Sequence, residues 1–147
     1  MCQAIRFIKD EFSPEILQQH SFEIQGDEVR IHFAHQKAYL PILYNGQNQL
    51  VLWGNKTNLN IPRTGFCKIE SFQNGKWLWL HPVPVHIIAS SALMNGVWFQ
   101  VKEGIQGLLL KNSPGPAHCY ILTQPATHYF KTMTGAERMP VLINQIL

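Results

Sequence analysis

The chain has 147 residues, 46% of them hydrophobic, 14% charged and 11% aromatic, with a formal net charge of +3. That length and apolar content suit one domain with a real core, expected to span residues 1–147, and the low charge excludes a long disordered segment. The mild positive charge permits a local basic groove but excludes a general polyanion binder.

In chain order, QAIRFI (residues 3–8) can start a sheet, directly after Met1 and Cys2. SPEILQQH (13–20) opens a helix, with Ser13 as N-cap and Pro14 at the first helical position, where its missing N–H costs nothing. EVRIHFAH (28–35) alternates polar and apolar residues as a strand does, which sends His32 and His35 to opposite faces. ILYNGQNQLVLWG (42–54) reads as a hairpin around Asn45-Gly46, because the favoured two-residue turn needs positive φ at both central positions. FCKIESFQNGKWLWL (66–80) reads the same way around Asn74-Gly75.

From Trp77 to Val101 the chain carries no formal charge, over about the length of a membrane helix. Pro82, Pro84, two histidines and Asn95 interrupt it, and its β-branched and aromatic clusters suit buried strands instead. PVHIIAS and VWFQV are those strands; GLLL, CYILT and MPVLI add three more, with a short helix in PATHYFKTM. The expected fold class is α+β and β-rich: a rolled or barrel-like antiparallel sheet with one or two short helices.

The usual signatures of chemistry are missing. Seven histidines are scattered without HExxH, CxxC or a finger spacing, so neither a metal nor a cofactor is expected. There is no glycine-rich phosphate loop and no GxSxG elbow. Cysteines at 2, 67 and 119 form an odd set, which fits a reducing compartment. Lys9, Asp10 and Glu11 break any apolar leader early, so a cytoplasmic protein is expected, and the sequon at Asn55 reads as chance. Cys2 is left. With Met1 removed it presents an α-amine and a thiol on adjacent carbons; packing as a small apolar residue is the alternative.

Several short motifs occur together behind this cysteine. ILTQPATHYFKTMTGAERMPVLI (121–143) contains Arg-Met-Pro-Val, NGVWFQVKEG (95–104) is a Gly-aromatic-rich strand ending in Lys, Trp53-Gly54 forms a Trp-Gly step, and CKIES (67–71) carries a cation and Glu70. Taken in chain order behind Met-Cys, they resemble the motifs of the SOS-response-associated peptidase (SRAP) family in its own order, and the chain looks like a divergent and short member of that family. The resemblance implies an SRAP-like rolled β fold, with the N-terminus in a groove for single-stranded DNA. It also implies covalent capture of abasic sites, preceded by self-removal of Met1. A ring-opened abasic sugar exposes an aldehyde; an α-amine forms a Schiff base with it, and the neighbouring thiol closes a five-membered thiazolidine.

By that resemblance Cys2 is the nucleophile, Gln100 stands where the family has a catalytic glutamate, and Glu70 matches a glutamate of the family's Arg-Ser-Glu-Thr run. Phe66 and Ala136 replace an asparagine and a histidine, so three of four expected active-site groups differ. Gln100 keeps the hydrogen-bonding shape of glutamate but cannot carry a proton. Lys68 replaces a phosphate-binding arginine, Trp53 is a stacking platform or a core residue, and Arg138 is a DNA contact or a structural ion pair. Glu137 reads as a solvated surface acid, and Lys56 and Arg63 as nearby charge. The expected partner is single-stranded or abasic DNA with no membrane, and the default state is a monomer. Loss of the reaction leaves a non-catalytic binding module of the same fold.

Overall fold

The computed structural model describes residues 2–111 and 115–147. Met1, and with it the expected self-removal, lies outside the described residues. The first half of the chain supplies β1 (Cys2–Ile8), α1 (Pro14–Gln19), β2 (Glu23–Gln25), β3 (Glu28–His32), β4 (Tyr39–Tyr44) and β5 (Gln47–Trp53). It continues with β6 (Phe66–Lys68), α2 (Ile69–Gln73), β7 (Val83–Ile87), β8 (Ser91–Met94) and β9 (Val97–Gln100). β10 (Ile105–Leu110), β11 (His118–Pro125), α3 (His128–Thr134) and β12 (Arg138–Pro140) follow.

Two sheets result. One runs β2-β3-β1-β8-β9, all antiparallel. The other runs β10-β7-β4-β5-β11, and pairing of β10 with β11 closes it into a five-stranded barrel. The fold is α+β and strand-rich, with short helices. The expected antiparallel roll needs one amendment: β11 pairs with β5 and with β6 in parallel, so the barrel contains one parallel step, while its closure at β10–β11 is antiparallel.

Alternation explains how the sheets pack. In β1, Ile5 and Phe7 are fully buried opposite Ile31 and Val29 of β3, while Arg6 between them faces outward, opposite Arg30. Those side chains meet Leu40, Ile42, Ile87, Ile105 and Ile121 of the barrel in one continuous core. Burying each such side chain contributes about 1.5–3 kcal/mol relative to exposure. A second cluster around Cys67, Trp77, Leu108, Tyr120 and Leu122 fills the other side of β10 and β11. On the outer face, the Arg6 guanidinium lies 3.7 Å from the ring centre of Trp98, and Arg30 lies 5.3 Å from it.

Local signals hold where the contacts are local. Ser13 caps α1 by accepting from the Ile16 N–H at 3.4 Å, with Pro14 inside the first turn. Asn45 and Gly46, at φ 52° and 73°, make the expected tight turn between β4 and β5. Asn74-Gly75 does not make a hairpin. Residues 69–73 form α2, and Gly75 (φ 78°) ends it: the Lys76 N–H donates to the Ser71 C=O and the Gly75 N–H to the Phe72 C=O. This is a Schellman closure, and it uses the same positive-φ glycine that a hairpin turn does. A hairpin that the reading above lacks forms at Asn95-Gly96 instead, joining β8 to β9.

His32 and His35 also depart from expectation. β3 ends at His32, and a turn follows, so the two rings come within 5.1 Å rather than pointing apart. The uncharged stretch from Trp77 becomes a 3₁₀ turn and then β7, β8 and β9. No helix among the described residues is long and apolar enough to cross a membrane.

Candidate functional site

Cys2 enters β1 opposite Met94 and packs inward, 2% exposed, in the same apolar cluster as Phe66, Phe99, Phe130 and Ala136. Its thiol donates to the Ala4 C=O at 3.3 Å. Burial pushes the thiol up to about 12, against smaller opposing effects of hydrogen bonds with the backbone of Ala4 and Leu93. At neutral pH the group is a thiol rather than the reactive thiolate.

Gln100 is exposed at the far end of β9, with its carbonyl accepting from Gln145 Nε2 at 2.8 Å. It pairs with Ser91, whereas Cys2 pairs with Met94, at opposite ends of β8. Three strand residues separate those positions by about 10 Å. Cys2 faces the core and Gln100 faces solvent, so the fold does not bring them together.

Glu70 and Arg138 do meet. Arg138 Nη1 donates to Glu70 Oε2 at 2.7 Å and Nη2 to Oε1 at 3.0 Å; Nη2 also reaches the Thr123 carbonyl at 2.9 Å. The guanidinium bond and, to a lesser degree, other nearby groups hold the Glu70 carboxyl below its ordinary value. β11 brings the two motifs together, since it pairs with β6 on one side and β12 on the other. Arg138 is therefore in a structural ion pair. Glu137 pairs with Lys131 at 3.1 Å on the surface.

Trp53 is 2% exposed, donates from Nε1 to the Gly65 C=O at 3.2 Å, and packs edge-on against Phe66. It is a core residue, closed to a stacked base. Gly54 beside it is required by close approach: at φ 61°, a Cβ there would lie 2.2 Å from the Thr64 carbonyl oxygen. Lys68 is exposed at the entry to α2, with no carboxylate within 4.0 Å among the described residues. Of the three expected DNA contacts, it alone presents a free charge.

Sequence reasoning missed a cavity of about 540 Å³ where the start of β4, the end of β5 and the start of β11 converge. Tyr39, Leu50 and Leu52 supply apolar wall, and Lys37, Lys56 and His118 supply polar groups. His118 is 5% exposed, and its Nδ1 lies 2.8 Å from the Gly54 carbonyl. Asn55 shapes the rim: its Nδ2 donates to the carbonyls of Asn58 and Ile61, and its Oδ1 accepts from the N–H groups of Thr57 and Asn58. That buried amide is the sequon asparagine. No linear spacing signals the cavity, because its walls come from three separate segments.

Among the described residues, no group of three or more His, Cys, Asp or Glu side chains is placed to hold a metal ion. No family model, curated protein or solved structure matches the chain.

Proposed function

We propose that the chain is an SRAP-like module that binds single-stranded DNA without the covalent capture step. The observation that carries this reading is the environment of Cys2. Its side chain is buried in the main apolar core, which also takes in Phe66 and Ala136, the positions where the resemblance puts an asparagine and a histidine. A catalytic centre for Schiff-base and thiazolidine chemistry needs polar groups that move protons. Here the thiol is buried in the apolar core, its polar partners among the described residues are backbone groups of Ala4 and Leu93, and it is held protonated. To reach an aldehyde, Cys2 has to give up its pairing with Met94 and leave the core.

The SRAP-like part of the reading is supported by the way β11 sets the CKIES and Arg-Met-Pro segments side by side, with Glu70 bonded to Arg138 across them. DNA contact falls to Lys68, whose charge adds a phosphate contact of the salt-sensitive kind.

The test uses a labelled single-stranded oligonucleotide, intact and abasic, at low and raised salt. The expected result is salt-sensitive binding that Lys68→Glu weakens, with no heat-stable adduct on the abasic strand. A heat-stable adduct lost in Cys2→Ala reinstates covalent capture. Absence of binding at low salt removes DNA from the account.

A further inference from the structure

The cavity between β4, β5 and β11 combines three features that no part of the DNA reading uses. It has the size of a small-molecule site, about 540 Å³ within the roughly 300–1,000 Å³ usual for such pockets. Its wall is largely apolar, from Tyr39, Leu50 and Leu52. Its charge is one-sided: Lys37 and Lys56 line it and no aspartate or glutamate does.

Each polar group has unused capacity. Lys56 donates to the carbonyls of Phe33 and His35 and lies 4.8 Å from the Phe33 ring centre, which leaves one of its three N–H bonds free and its charge without an anionic partner. Neither lysine has a carboxylate within 4.0 Å among the described residues. Partial burial lowers the Lys56 ammonium from its ordinary value, a cost that a neighbouring anion offsets. The Gly54 carbonyl can only accept, so His118 Nδ1 carries the hydrogen and, in the neutral ring, Nε2 is an acceptor turned away from Gly54. Nε2 has no hydrogen-bond partner among the described residues.

We infer that this cavity binds a small amphipathic anion: an apolar or aromatic body against Tyr39, Leu50 and Leu52, an acidic group at Lys37 and Lys56, and an N–H or O–H donor to His118. The site is separate from Cys2 and Lys68 and does not depend on DNA binding.

The probe is 1-anilinonaphthalene-8-sulfonate, which carries an aromatic body, an anion and an N–H in one molecule; N-phenyl-1-naphthylamine is the same body without the sulfonate. Fluorescence titration of the intact chain should give one saturable site, with the neutral analogue at least tenfold weaker. Lys37→Glu, on an exposed side chain, should weaken the sulfonate severalfold while its thermal transition stays cooperative. Amide shifts in a ¹⁵N spectrum should cluster at residues 36–39, 50–57 and 116–118. Equal binding of the neutral analogue, shifts centred elsewhere, or the absence of a saturable site overturns the inference.

Discussion

Arg138 and Glu70, 68 residues apart in the chain, close a two-point ion pair of 2.7 and 3.0 Å that ties α2 to β12. The planar guanidinium matches both carboxylate oxygens, a geometry that lysine cannot reproduce.

Arg138→Lys and Glu70→Gln should therefore each lower the thermal midpoint, and the double variant should lose less than the sum of the two. Because Glu70 is held below its ordinary value of 4.5, its contribution is fully present above that pH and fades as pH falls through the lower folded value. The gap in midpoint between the wild type and Glu70→Gln should close under acid. A gap that stays constant from neutral pH to well below 4.5 counts against the pair.

All three thiols, at Cys2, Cys67 and Cys119, are free and buried. A thiol reagent at mildly alkaline pH should titrate none of them quickly in the folded chain and all three in denaturant. Fast reaction of Cys2 in the folded chain would show that β1 opens. Burial raises each thiol, Cys2 and Cys67 to about 12 and Cys119 further, from an ordinary value of 9.0. A group raised in the fold stabilises it below the unfolded value and loses that effect as pH climbs. Stability should thus fall above about pH 9, and Cys119→Ala should flatten the fall.

Gly107 in β10 is required by packing: a Cβ there would lie 2.6 Å from Ile87 Cδ1 and 3.1 Å from Cys119 Sγ. Gly107→Ala should cost about 1–3 kcal/mol by overpacking, read by chemical denaturation. Ile87→Val removes Cδ1 but keeps the carbon corresponding to Cγ1, 2.9 Å away, so the pair of changes should cost somewhat less than their sum. Strict additivity would place the strain elsewhere.

Arg6 and Arg30 sit directly opposite each other across β1 and β3, an arrangement that repels. The Trp98 ring beneath Arg6 counters this repulsion. A double-mutant cycle of Arg6→Gln with Trp98→Leu should give a coupling of about 0.5–1 kcal/mol. Zero coupling would reduce the contact to chance proximity.

Much of the fold was legible in the residues because the deciding contacts are short. Ser13 with Pro14, the Asn45-Gly46 turn and the short helix in PATHYFKTM, capped by Thr127 bonding to Phe130, each close within a few positions. Asn74-Gly75 misled because a helix end and a hairpin both ask for a glycine at positive φ; only the packing of Ile69 and Phe72 on the second cluster chose between them. The site residues were less legible. Burial of Trp53 and Cys2, and the partnership of Arg138, depend on which strands lie alongside β11 and β1.

By itself the sequence determined a strand-rich α+β chain, the Asn45-Gly46 turn and the caps of α1 and α3, since periodicity and caps act over one or two turns of backbone. Tertiary structure alone decided that the barrel closes by β10 meeting β11, that the leading cysteine is buried in the apolar core, and that His118 meets Gly54 from 64 residues away beside two lysines with no carboxylate partner among the described residues. Such contacts come from strand register and closure, and register between distant segments is set by what the whole core can bury together.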